Sequence, residues 1–212
     1  MMSSCRNGNP RRRTATLLLA SSAVFLSGCA HSNPPASPFS AQDLAAMTAP
    51  TTPPGNPTLT AEEIGKRFLK LIGGLESRSD LSLENAQQET GLTFSPSSDG
   101  RLYGYEETLV DGWHAAMNYR LATASTMIGI DLHFWKVDDH YADMSPVCAL
   151  DFDHYNAALK AMGYRDTPVH GEIGQLQSFR YDKNDITISI IPQNVVAGEP
   201  GRLCVKSIGT LN

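Results

Sequence analysis

The sequence predicts an α+β fold in which an antiparallel sheet carries helices on one face. Apolar residues recur at helical spacing in some segments and alternate with polar residues, as in strands, in others. The order of these segments also repeats: from Ser82 onward, a helix and three strands are followed by a helix and three more strands. This order indicates a duplicated helix-plus-three-strand unit, preceded by an extra N-terminal helix.

Three helices are predicted, and capping residues mark the first and the third. Thr60 and Glu63 have the spacing of a capping box, and the second helix runs from Ser82 to about Thr90. A third helix begins at Asp151, with Gly163 as its end signal. The apolar face of the first helix consists of Ile64, Phe68, Leu71, Ile72 and Leu75.

Six segments have the composition and alternation of strands, and the pair Asp111-Gly112 between the first two is a hairpin signal. With helices on one side, the second face of the sheet is left open. The six segments are 101–110, 113–121, 127–135, 175–181, 186–191 and 202–208.

The N-terminus has the features of an export signal. Three arginines at 11–13 precede an apolar run that begins near Ala15, and the run closes on the sequence Leu26-Ser27-Gly28-Cys29. This segment resembles the lipobox of bacterial lipoprotein signal peptides. The resemblance implies that a peptidase cuts before Cys29 and that Cys29 carries the acyl chains of a membrane anchor. The alternative is an ordinary secretory signal in which Cys29 is incidental.

Three regions follow from this interpretation: a signal peptide at 1–28, a lipidated tether rich in Pro, Ser, Thr and Ala at 29–58, and one globular domain at 59–212. Cys29 is followed by Ala30. In enteric lipoproteins an Asp at this position retains the protein at the inner membrane, so Ala30 implies that this protein is anchored in the outer membrane and faces the periplasm. The full chain has a net charge of −5, and the signal removes four arginines but no acid. This acidity argues against nucleic acid as a partner, and it leaves the lipid anchor as the only membrane contact.

The two remaining cysteines of the mature chain, Cys148 and Cys204, are expected to form a disulfide, since an exported pair lies in an oxidising compartment. A metal site or a catalytic thiol is the functional alternative, but neither cysteine has a CxxC or Cys-His spacing.

Two groups of residues raise the question of a metal. The weak calcium candidates are Asp138, Asp139 and Asp143, but they lack the spacing of a calcium loop and are expected to be a solvated acidic loop. His114, His133 and Asp131 on neighbouring strands could together provide three zinc ligands. The sequence lacks the G-x-S-x-G, H-E-x-x-H and phosphate-loop motifs, so we expect neither catalytic residues nor a cofactor.

The open sheet face is the candidate binding surface. Alternation places polar and aromatic side chains from two neighbouring strands on it, and Trp and Arg are favoured at interface hot spots. The alternative is that Trp135 lies at the sheet edge beneath the loop 138–145. The candidate residues are His114, Asn118, Arg120, Asp131, His133 and Trp135.

In layout, the chain is similar to the immunity lipoproteins that bacteria encode beside secreted antibacterial effectors. The shared features are a lipobox, a proline-rich tether and one compact acidic domain with a disulfide. This resemblance implies a non-enzymatic inhibitor that neutralises a cell-wall- or membrane-degrading toxin by direct protein–protein binding. The alternatives are a structural accessory lipoprotein of an envelope assembly or secretion complex, and a small hydrolase or metal-binding protein.

Overall fold

A computed structural model describes residues 55–193 and 201–211. Within these ranges the chain forms a mixed α+β fold with three helices and one eight-stranded antiparallel sheet, which confirms the predicted class. The helices are α1 (Ala61–Gly73), α2 (Leu83–Thr90) and α3 (Phe152–Ala161). The strands are β1 (Ser95–Pro96), β2 (Leu102–Thr108), β3 (Trp113–Arg120), β4 (Gly129–Lys136), β5 (Arg165–His170), β6 (Leu176–Lys183), β7 (Ile186–Gln193) and β8 (Cys204–Thr210).

The sheet consists of two four-stranded meanders that meet at its centre. Its strand order is β1-β2-β3-β4-β8-β7-β6-β5, so each meander keeps sequence order and the two last strands, β4 and β8, pair with each other. Leu132 lies opposite Ile208 at the middle of this junction, with Asp131 opposite Gly209 and His133 opposite Ser207.

Two of these strands were not predicted from the sequence. The expectation of three strands after each helix is wrong, because β1 precedes the first triplet and β5 precedes the second. β1 has only two residues, and β5 is exposed along almost all of its length. Neither strand therefore has the apolar alternation by which strands are recognised.

One face of the sheet forms the hydrophobic core with the helices. Alternate residues of the central strands are buried, and they belong to the same cluster as the buried sides of α1, α2 and α3. α1 carries the predicted capping box of Thr60 and Glu63. Gly65 allows close packing on α1, because a methyl group there would collide with the Tyr155 hydroxyl and lie 2.8 Å from Leu150 Cδ1. The residues between the buried ones point to the opposite face, which contains the candidate site.

Candidate binding face

The six candidate residues lie together on the outer face of β3 and β4. The antiparallel register places His114 opposite Trp135 and Asn118 opposite Asp131. All six side chains are partly buried, and they alternate with core residues such as Met117 and Leu132. We name the six residues the polar cluster: His114, Asn118, Arg120, Asp131, His133 and Trp135.

Trp135 contacts both histidine rings. Its ring centroid is 5.2 Å from that of His114, with 20° between the planes, and 4.9 Å from that of His133, with 32° between the planes. Glu106 of β2 places Oε1 3.8 Å from His114 Nδ1, a buried nitrogen without a hydrogen-bond partner among the described residues. The three rings thus form one aromatic cluster that spans two strands, a feature of the kind that anchors protein interfaces.

A hydrogen-bond network occupies the other half of the polar cluster. Asn118 donates from Nδ2 to Asp131 Oδ2 at 3.2 Å, and His133 Nδ1 lies 3.3 Å from the same oxygen. Arg120 Nη2 is 3.8 Å from Asp131 Oδ1, which is an ion-pair contact at a partly exposed site. Side chains held by such mutual contacts lose little rotamer freedom when a partner binds, so the cluster is preorganised for recognition.

A shallow groove of about 320 Å³ lies beside the network, over the junction of β4 with β8 and β7. Its floor is made of small residues. Gly209 is one of them, and a larger residue would not fit there, because its Cβ would lie 2.6 Å from the Cβ of Asp131. Sequence reasoning missed this groove, although the alternation of Ser189 with buried residues on β7 could have indicated it. The lining side chains on the outer face are Asp131, His133, Ser189, Ile191 and Ser207.

Asp131, His133 and Ser207 are the residue types of a serine-hydrolase triad, and Ser207 lies opposite His133. A working triad needs the serine hydroxyl within hydrogen-bond reach of the histidine. No hydrogen bond joins His133 to Ser207 in the described part of the chain; the contacts of His133 Nδ1 are with Asp131 and Asn118.

The predicted disulfide is confirmed. Cys148 and Cys204 are bonded, with Cα atoms 5.4 Å apart and a sequence separation of 56. Both residues are buried, and the bond joins the segment before α3 to the first residue of β8. The backbone of Asp151, the N-cap of α3, also forms an isolated antiparallel β-bridge with the backbone of Cys204.

The acidic loop after β4 has local structural roles. Asp139 Oδ1 accepts a hydrogen bond from the backbone of Tyr141, and Asp143 Oδ1 accepts one from the backbone of Ser145. Asp138 has a positive φ of 62° at the start of the loop. Across 55–193 and 201–211, no group of three or more His, Cys, Asp or Glu side chains is placed to hold a metal ion.

The same loop closes one end of the core. Ala142 and Met144 are buried, and Gln193 donates from Nε2 to the Ala142 carbonyl at 2.8 Å. The ring contacts of Trp135 are with the two histidines of the outer face. The indole is half-buried there, so part of it is open to a partner.

Comparison with protein families, with characterised proteins and with solved structures finds no match to this chain. Within the described ranges, none of the helices has the length and apolar character needed to cross a membrane. Cys29, the signal peptide at 1–28 and the tether up to Pro54 lie outside the described residues.

Proposed function

We propose that this chain is an outer-membrane-anchored periplasmic lipoprotein that binds another protein. In its specific form, it is an immunity protein that neutralises a secreted toxin degrading the cell wall or the membrane. The observation that carries the proposal is the polar cluster, in which Trp135 and Arg120 share an open sheet face with two histidines. Half-buried Trp and Arg side chains with fixed neighbours are typical of interface hot spots.

Two features support export and anchoring. The Leu26-Ser27-Gly28-Cys29 sequence after an apolar run is typical of lipoprotein signals. The disulfide between Cys148 and Cys204 is an independent support, because such bonds form and persist in oxidising compartments such as the periplasm.

The anchor is tested by labelling cells with a palmitate analogue. The label should enter the wild-type protein and be lost in Cys29→Ser, because lipidation requires the Cys29 thiol. Cys5→Ser is the matched control, since Cys5 lies before the cleavage point and its loss should leave labelling intact. Labelling that persists in Cys29→Ser would remove the anchor from the proposal.

Binding is tested by affinity capture with the mature lipoprotein in detergent, against the secreted and envelope fractions of its own organism. We expect one secreted protein at stoichiometric yield, captured less by Trp135→Ala and Arg120→Ala, each change costing more than about 1 kcal/mol of binding. Lys66→Ala is the matched control, because Lys66 is an exposed cation on α1, on the face of the sheet opposite to the polar cluster.

Three other outcomes of the capture contradict the immunity function. Recovery of several envelope proteins together would favour the accessory subunit of an assembly or secretion complex. Equal capture by Trp135→Ala, Arg120→Ala and the wild type would remove the polar cluster as the binding face. An empty capture, with a hydrolytic activity that is lost in His133→Ala, would favour an enzyme.

We also infer that the domain contains a duplicated unit, with four strands in each copy and not three. Both units begin with a capped helix, at Ser82 and Asp151, and both helices are followed by a glycine with positive φ, Gly91 and Gly163. The mirrored strand order of the sheet supports the same inference. Exchanging the order of the two units in the chain should then preserve the far-UV circular dichroism spectrum, whereas an unfolded exchange variant would count against duplication.

A further inference from the structure

The exposed apolar side chains are concentrated at one end of the sheet. Because the strands are antiparallel, the β2–β3 turn, the segment after β4 and the β5–β6 turn all lie at the same end. We name these three segments, 109–112, 137–145 and 171–176, the loop end. Of the eight large apolar side chains that are exposed in the described part of the chain, six lie at or beside it: Val110, Val137, Tyr141, Ile173, Leu176 and Ile191.

Each segment of the loop end combines its exposed apolar residue with acidic neighbours. Val110 is 62% exposed, Val137 59%, Tyr141 80% and Ile173 90%. The sequence pairs are Val110-Asp111, Val137-Asp138 and Glu172-Ile173, while Tyr141 lies between Asp139 and Asp143. The exposed apolar residues of the opposite end, Leu121 and Met127, have no acidic neighbour within two positions.

The tip of the β5–β6 hairpin extends past the part of the sheet where β6 pairs with β7. β6 begins at Leu176, but it pairs with β7 only from Phe179 onward. The tip therefore belongs to a two-stranded ribbon with no third strand beside it among residues 55–193 and 201–211, and Ile173 lies in its turn. An isolated ribbon is marginally stable in water, so a partner that covers the tip would order it as well as bury it.

An apolar pocket opens at the same end. It has a volume of about 410 Å³ and lies between the start of α1 and the β2–β3 turn, with Val110 in its wall. This volume is within the range of sites that accept a side chain or a small ligand. Its other apolar lining residues are Leu59, Ala61, Leu109, Pro146 and Val147.

We propose that the loop end docks onto a protein surface that is basic and partly apolar. This inference rests on the proposed binding function and names the chemistry of the partner. The carboxylates would pair with Lys and Arg of the partner, while Ile173, Tyr141 and Val110 are buried against its apolar side chains. The loop end adjoins the polar cluster, since Val137 follows Trp135 by two residues. An anionic lipid surface is disfavoured as the occupant, because the same carboxylates would be repelled.

The test uses a displayed library of random short peptides, selected on the mature lipoprotein in detergent. The loop-end variant combines Tyr141→Ser, Glu172→Lys and Ile173→Ser. The matched control combines Leu121→Ser, Met127→Ser and Glu84→Lys, the same three kinds of change at exposed positions elsewhere. Equal thermal midpoints would show that both variants are folded.

We expect the selected peptides to be enriched in Lys and Arg together with large apolar residues. They should bind the loop-end variant about tenfold more weakly than the wild type, and the control with unchanged affinity. Selection of no binders, or of peptides without excess basic charge, would overturn the proposal. So would binding to phosphatidylglycerol vesicles that the loop-end variant loses.

The same peptides separate this inference from the polar cluster. Peptides that keep their affinity for the loop-end variant but lose it for Trp135→Ala would leave the proposed binding face in place and remove the loop end. Peptides that lose affinity for the loop-end variant but not for Trp135→Ala would support the loop end and count against the polar cluster.

Discussion

The helix caps are single-residue features that can be identified from the sequence. Thr60 and Asp151 each accept a hydrogen bond from the backbone of the residue three positions later, as predicted from their types and spacing, and Ser82 at the start of α2 does the same. These interactions are local, so sequence is sufficient to identify them. The outward orientation of Trp135 was also predictable, since it depends only on alternation along β4.

Removing the Asp151 cap should lower the stability of the protein by a measurable amount. It accepts a hydrogen bond from His154 N at 3.1 Å, and Arg202 Nε lies 3.6 Å from its other oxygen. Asp151→Ala should lower the free energy of unfolding by about 1 kcal/mol in urea titrations, whereas Asp151→Asn should retain most of it, because Asn also caps well. Equal loss in both variants would contradict the capping role.

The charge of Asp151 adds a pH dependence. Burial of Asp151 opposes its ionisation, but hydrogen bonds from His154 outweigh this and lower its pKa below 3.8. A lowered pKa gives stability that is present above the unfolded value and is lost as the pH falls through the folded value. The advantage of the wild type over Asp151→Asn should therefore be constant near neutral pH, begin to fall near about pH 4 and disappear as the pH falls through the folded pKa. An advantage that persists at pH 2 would contradict this.

Asp131 and His133 of the groove were among the candidate residues, but Ser189, Ser207 and Gly209 were not, because their side chains are small. Alternation along β7 could indicate that Ser189 faces outward, whereas the space that the three residues leave is defined only when the neighbouring strands are known. Nothing in the sequence near Gly209 indicates that Asp131 lies opposite, since the two residues are far apart in the chain.

At the level of elements, the strands that the sequence reveals are those with one buried face. β3, β4 and β7 alternate between the core and the outer face, and all three were predicted. β5 is an edge strand with charged residues and Pro168, a composition that protects an edge from further pairing. The same composition removes the apolar alternation that would identify it as a strand.

The disulfide connects two elements that are distant in sequence, and the cysteine pair alone was sufficient to predict their contact. It joins the segment before α3 to β8 and closes a loop across 56 positions. Replacing both residues, Cys148→Ser with Cys204→Ser, should lower the free energy of unfolding by about 4 kcal/mol, because the unfolded chain gains conformational freedom. Urea titrations with and without reductant provide the measurement, and the double variant should be insensitive to reductant. Equal stability of the oxidised wild type and the double variant would contradict this role.

At the level of the whole molecule, the sequence predicted the class of the fold but not its strand order. The β4–β8 pairing joins residues that are about 76 positions apart, as with Leu132 and Ile208, and neither local propensity nor turn signals encode such a contact. This pairing brings the groove of the second meander against the polar cluster of the first. The binding face is thus a property of the assembled sheet, with its chemistry concentrated on β3 and β4.

The central claim is that the polar cluster contacts a protein partner in the cell. The most direct measurement is photo-crosslinking in living cells, with p-benzoylphenylalanine in place of Trp135 and, as the matched control, in place of Lys66 on the helix side of the sheet. We predict one covalent adduct with a secreted or envelope protein from position 135 and none from position 66. Protein adducts from position 66 alone, or none from either position when the partner is present, would contradict the claim.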